Sequence, residues 1–196
     1  MSNYPEYAEV NGKKYKINTD FRYAIECNRI AEDETIGDYE RALAIIYTLF
    51  GEEGINAPED YGKLLEMAKK YLLCGEELKE TSVKNKDMDY IQDYEYIWTS
   101  FISDYNGLDI DKEQMHWWKF YRLLNGLSNS ELGNCCILNR IRNLRNYDLK
   151  DIKDPVQRQK IQEAKNMVAL KKNKKEVKLT EKQQESVDEF YRSLGF

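Results

Sequence analysis

The sequence predicts a mainly α protein: an N-terminal β-hairpin, then a bundle of about six helices, then a basic helical extension at the C-terminus. Three observations carry this. Asn11-Gly12 sits between two short alternating segments and is the dipeptide that supplies positive φ at both centres of a type I′ turn. From Phe21 onward, apolar residues recur at spacings of three and four, the period of a helix with one buried face. Only 10 glycines and 3 prolines occur in 196 residues, which argues against a turn-rich sandwich and against long flexible linkers. Residues 1–150 are expected to form the helical domain with its hairpin, and residues 151–196 the extension.

The hairpin turn at Asn11-Gly12 pairs Val10 with Lys13, Ala8 with Tyr15 and Glu6 with Ile17. One face then carries Ala8, Val10, Tyr15 and Ile17, while the other sets Glu9 opposite Lys14 and Tyr7 opposite Lys16. Two strands alone are marginal in water, so this hairpin must lie on helices or pair with another chain. Thr19 or Asp20 caps the first helix, which contains Phe21, Ala24 and Ile25. Ala42, Ile45, Ile46 and Leu49 mark the second. Pro58 suits a first turn, and Tyr61, Leu64, Leu65, Ala68, Tyr71 and Leu72 follow it as the third. Residues 89–105 give the cleanest stripe, Ile91, Tyr94, Ile97, Trp98, Phe101, Ile102 and Tyr105. Asp111 is expected to start the next helix, with Trp117, Phe120, Tyr121 and Leu124 on one face and Gly126 as its stop. Ser128 or Asn129 is placed to cap a helix through Leu132, Ile137, Ile141 and Leu144. The polar span 146–155 reads as a connector. Beyond it come a weakly amphipathic helix through Ile161, Ala164 and Val168, the charged run Lys171 to Lys178, and a last helix opened by Thr180 with Val187, Phe190, Tyr191 and Leu194.

Leu, Ile, Val and Phe together number 45 of 196 residues, enough for a core but a lean one. Fifteen tyrosines and three tryptophans help to fill it. Trp98, Trp117 and Trp118 are expected inside, because helical aromatic stripes usually bury within their own chain. The net charge of −5 is unevenly spread. Residues 1–110 hold 23 acidic and 12 basic side chains, net −11; residues 111–196 hold 12 and 18, net +6. Such asymmetry marks either an interaction tail or ordinary solvated helix faces. No run approaches the roughly 18 apolar residues of a membrane span, and Met1–Glu9 lacks a signal-peptide pattern. A location in the cytoplasm is expected, with Cys27, Cys74 and the adjacent Cys135-Cys136 as reduced thiols, since none has CxxC spacing.

Candidate chemistry is sparse. His116 is the single histidine. It is either a general base between aromatic walls or a half-buried residue at an aromatic core edge, and the second reading is preferred because a catalytic site needs more than one residue. Asp87, Asp89, Asp93 and Asp104 flank the Trp98 helix; acid enrichment at a helix N-terminus explains them more simply than a cation site. No GxGxxG, GxxxxGK[ST] or GxSxG occurs. The protein is therefore expected to be non-enzymatic, with no cofactor and no metal. Arg140, Arg142 and Arg145, and then Lys171, Lys172, Lys174 and Lys175, form a candidate basic contact patch. Nucleic acid is not expected as the main partner, because the chain is acidic overall and carries no recognised nucleic-acid motif. The aromatic cluster of Trp98, Phe101, Tyr105, His116, Trp117, Trp118 and Phe120 is the other candidate surface, as core or as partner-binding site.

The run Asp93-Tyr94-Glu95-Tyr96-Ile97-Trp98-Thr99-Ser100-Phe101-Ile102-Ser103-Asp104-Tyr105, then Leu108-Asp109-Ile110, then Met115-His116-Trp117-Trp118-Lys119-Phe120, then Gly126-Leu127-Ser128 resembles a family of gene-product-fifteen-like proteins. These belong to long-tailed phages and prophages of Gram-positive bacteria. Ile137 to Arg142 matches the arginine-containing helix of that family, and the likeness covers residues 6–150. The turn Asn106-Gly107-Leu108-Asp109-Ile110 is looser than the family's. The resemblance implies a protein encoded beside the tape-measure gene, acting as a tail assembly chaperone. It would hold the tape-measure protein soluble while the tail tube polymerises, alongside other tail proteins and with self-association left open. It would work in the host cytoplasm and be absent from the mature virion. A retained structural tail or connector component is the alternative. No catalytic residue is carried over.

Overall fold

The computed structural model describes residues 4–76, 86–129, 135–150 and 152–171. Its order is β1 (Tyr7–Val10), β2 (Lys13–Lys16), α1 (Phe21–Ala31), α2 (Asp38–Ile55), a 3-10 turn (Pro58–Asp60), α3 (Tyr61–Leu72), α4 (Tyr94–Asp104), α5 (Trp117–Asn125), α6 (Ile137–Asn146) and α7 (Pro155–Val168). The protein is mainly α, with one antiparallel hairpin before its helices. The helix expected from Thr180, and Lys172, Lys174 and Lys175, lie outside the described residues.

The hairpin has the register its turn dictates, Tyr7 opposite Lys16, Ala8 opposite Tyr15, Glu9 opposite Lys14 and Val10 opposite Lys13. Asn11 and Gly12 take φ of 52° and 80°, the left-handed pair that a type I′ turn requires. Ala8, Val10, Tyr15 and Ile17 are buried against α2 and α3. Asp60 pins the hairpin, accepting from the Tyr15 hydroxyl and from Asn11 Nδ2 at 2.6 Å each. Those bonds, Tyr15's first, hold its carboxyl below the ordinary carboxylate range.

Asp20 caps α1 by accepting the Arg22 N–H at 3.0 Å. Phe21, Ala24, Ile25, Cys27 and Ile30 form its buried face. Helix α2 is not continuous. Gly51 adopts φ 62° and ψ −154°, a conformation essentially reserved for glycine. Just before this break, the Leu49 carbonyl accepts from the Asn18 N–H and the Thr48 carbonyl from Asn18 Nδ2, both at 2.8 Å. The kink thus docks the strand-to-helix linker onto α2, because helix carbonyls turned outward need donors.

Three sequence expectations shift. The stripe expected from residue 89 becomes helical only at Tyr94, and Ile91 is 55% exposed. Asp89 accepts from the N–H groups of Ile91 and Gln92 at 2.9 and 2.8 Å, so a side-chain-capped turn occupies the first positions. The helix expected from Asp111 starts instead at Trp117. His116 is extended and bridges Asp20, where Phe21 N–H donates to Met115 O (2.9 Å) and Trp117 N–H to Thr19 O (2.8 Å). Of the helix expected from Ser128, the part through Leu132 lies outside the described residues, and α6 is described from Ile137, capped by Cys136.

The core is aromatic at its centre. Phe120 stacks on Phe21 at 4.3 Å between centroids and on Phe101 at 5.2 Å, with Trp117 at 5.9 Å. One ring therefore joins α1, α4 and α5. The Gly51→Ala variant is expected to lose about 1–3 kcal/mol of stability, read as a lower urea midpoint with an unchanged slope.

Candidate functional site

The aromatic cluster assembles, but mostly inward. Phe101, Phe120 and Trp117 are buried, whereas Trp98, Tyr105, His116 and Trp118 are half-buried along its edge. A tryptophan placed inside needs an acceptor for its N–H, and each one has it. Trp117 Nε1 donates to Leu72 O at 3.1 Å and Trp118 Nε1 to Tyr71 O at 2.9 Å. The adjacent pair thus caps the last carbonyls of α3, groups that a helix end leaves without internal partners. Trp98 Nε1 donates to Asp109 at 2.9 Å, Tyr94 Oη to Asp111 at 2.6 Å and Tyr105 Oη to Leu123 O at 2.6 Å. These bonds staple the turn at 106–111 to α4, and α4 to α5.

His116 caps the N-terminus of α5. Its Nδ1 accepts the Trp118 N–H at 3.0 Å, which places the proton on Nε2, 3.0 Å from the Pro5 carbonyl that receives it. The ring stacks on Tyr4 at 4.8 Å and meets Tyr71 and Trp118 edge-on. Burial pushes its pKa down, partly offset by the Pro5 carbonyl and Glu6. Both ring nitrogens are committed to the backbone, so the residue's geometry is that of a capping group rather than a base facing a substrate.

The basic residues do not form one patch. Arg140 is exposed. Arg142 lies half-buried with its guanidinium 3.3 Å from Asp87. Arg145 is turned inward: its side chain is 10% exposed and its partner Asp93 is 1% exposed. Two guanidinium nitrogens meet the two carboxylate oxygens at 2.6 and 2.7 Å, a bidentate pair. The same guanidinium donates to Asp87 O at 2.9 Å and to Val168 O at 2.6 Å, while Asp93 also accepts the Asp89 N–H at 3.0 Å. Lys171 is exposed, and its backbone is held by Gln92. The acidic run therefore splits by role, Asp89 capping a turn and Asp93 neutralising a buried arginine. Sequence reasoning missed the Asp93–Arg145 pair and the part played by Gln92. The signal was an arginine at a half-apolar position of the Ile141–Leu144 helix.

Burial pushes the Cys27 and Cys74 thiols up to about 12, so they stay protonated and weakly nucleophilic. Thr99, Asp104, Tyr105, Gly126, Ser128 and Cys136 help to line a shallow groove between the end of α4 and the start of α6. There Asp104 is committed to the Ser128 N–H at 2.7 Å. Among the described residues no three His, Cys, Asp or Glu side chains are grouped to hold a metal, and no helix is long and apolar enough to cross a membrane.

The family model described as Bacteriophage Gp15 protein matches residues 2–170. That span runs past residue 150, where the sequence resemblance ended, and takes in α7. No curated protein and no solved structure matches the chain.

Two outcomes test this geometry. Asp93→Ala strands a buried guanidinium and is expected to cost about 3–5 kcal/mol, whereas Asp93→Leu with Arg145→Met recovers part of the loss; denaturant unfolding of the two variants compares them. For His116, the unfolded imidazole titrates near 6.5 while the folded one resists protonation. The unfolded state then binds the extra proton as pH falls, so stability is full above about pH 7 and declines below about 6.5. Thermal melts at pH 7.5, 6.5 and 5.5 should show this decline in the wild type. They should show a flatter profile in His116→Asn, whose amide oxygen still accepts at the cap.

Proposed function

The chain belongs to the Bacteriophage Gp15 protein family, and from that membership we propose that it is a phage or prophage tail assembly protein. It acts as a chaperone that binds the tape-measure protein while the long tail is built. The family match carries this reading. The surface supports it: Tyr7, Tyr23, Tyr39, Tyr47, Ile91, Val156 and Met167 are exposed on a chain of net charge −5. Dispersed aromatic and aliphatic groups on a charged, repelling surface suit modest interfaces that form and release. On this reading the protein works in the host cytoplasm and leaves before the virion is complete. Its contacts with the tape-measure protein do not come from the motif tryptophans, which are engaged in the core, in capping α3 and in a bond to Asp109.

Co-purification from induced or infected cells tests the proposal. The tagged protein is expected to capture tape-measure fragments and to be missing from purified virions. Stoichiometric presence in virions would replace the chaperone with a retained structural component of the tail or connector.

A further inference from the structure

Among the described helices, α7 alone buries no residue. It attaches through a seam separate from the main core. Ile152, in the connector before it, is buried yet stands apart from the core cluster. So do the half-buried Ile141 and Leu144 of α6 and Ile161, Ala164 and Val168 of α7, two helices that pack on each other. The polar anchors supplied by the body share one property: they read the main chain of this element. Arg145 Nε donates to the Val168 carbonyl at 2.6 Å. Gln92 donates from Nε2 to the Lys171 carbonyl at 3.0 Å and accepts the Lys171 N–H on Oε1 at 2.8 Å. Other bonds from α7 side chains, Arg158 to Ile152 O and Lys165 to Tyr147 O, stay within the element and its own connector.

A helix held this way is replaceable. Main-chain carbonyls at a helix C-terminus are offered by every helix, and the seam asks only for apolar side chains at spacings of three and four with a small one in the middle. Elements with few buried contacts sit at the low end of local stability and open without global unfolding. The floor beneath α7 does not depend on it, because the bidentate bond between Arg145 and Asp93 lies within the body.

We propose that α7 is an intramolecular stand-in, occupying on α6 a docking seam that receives an amphipathic helix of a partner protein and leaving as a unit when that helix arrives. The partner helix carries the pattern Ile-x-x-Ala-x-x-x-Val or its like, its last carbonyls engage Arg145, and the main chain just beyond it pairs with Gln92 as Lys171 does. The inference deepens the proposed binding role and rests on it only for the partner's identity.

The experiment uses the full-length chain and, as probe, a fluorescent synthetic peptide of residues 155–171. Ala164→Glu places a charge in the intramolecular seam and leaves the α6 face intact. This variant is expected to capture the peptide at least tenfold more tightly than wild type, because occupancy by the chain's own α7 raises the apparent Kd by the closed fraction. Leu144→Asp added on the receiving side should abolish capture. Hydrogen exchange of the wild type is the second measurement: α7 amides should exchange at least tenfold faster than those of α4. Capture no better than wild type, loss of the near-UV circular dichroism of the body on Ala164→Glu, or equal protection of α7 and α4 would each overturn the proposal. Peptide capture without binding of tape-measure fragments would support the seam and sink the chaperone reading; fragment binding without peptide capture would do the reverse.

Discussion

Arg145 carries a permanent charge that is almost wholly removed from water, and Asp93 is the carboxylate that makes this tolerable. Neither could be there without the other, since desolvating a lone ion costs several kcal/mol. The pairing sets conditions on everything around it. The segment 86–89 must present the Asp87 carbonyl, α6 must bring Arg145 alongside the start of α4, and Val168 at the end of α7 accepts from the same guanidinium. Three stretches far apart in sequence are thus oriented by one planar group. A lysine would not substitute, because a point charge cannot hold a two-pronged bond and two carbonyls at fixed angles.

The second organising element is the stretch from Met115 to Phe120, where consecutive residues do different mechanical jobs. Met115 and Trp117 exchange backbone bonds with the linker before α1. His116 caps the helix that begins after it, Trp117 and Trp118 cap the helix that ended at Leu72, and Phe120 stacks between Phe21 and Phe101. Rare residue types gathered in a short run invite a functional reading. Here their rarity reflects geometry, because indole and imidazole carry a nitrogen donor or acceptor in the ring itself and so can bond backbone while the ring packs. The motif that carries the family likeness is thus a structural junction. The surfaces left for a partner lie outside it.

Local signals were legible and tertiary ones were not. The hairpin register followed from the Asn11-Gly12 turn, the α1 cap was narrowed to Thr19 or Asp20, of which Asp20 caps, and α7 was expected after the polar connector from its apolar spacing, although Pro155, placed in that connector, opens the helix. Each depends on neighbours within a few residues. The start of α5 was misplaced because helical spacing in 111–116 competes with strand-like pairing to residues 19–21, about 95 positions away, and the pairing wins. The break at Gly51 was invisible because a glycine inside an apolar helical pattern is usually tolerated, and only Asn18 from another segment makes the break favourable. At the candidate site, the aromatic cluster was found as a group but its inward orientation was set by α1 and α3. The arginines were found as a charge cluster although their burial depends on Asp87 and Asp93. The tail lysines 172, 174 and 175 lie outside the described residues.

The pairing of residues 19–21 with 115–117 also fixes an order of events on the ribosome. At about 5–20 residues per second, the second partner is made roughly 5–20 s after the first. Through that interval the apolar face of α1 has neither Met115 beside it nor Phe120 stacked upon it. The hairpin can form on its turn and α1 can cap itself, but the body can close only late. A newly made chain therefore spends seconds exposing surface that the finished molecule hides, and nascent copies on one message must pass through that state side by side.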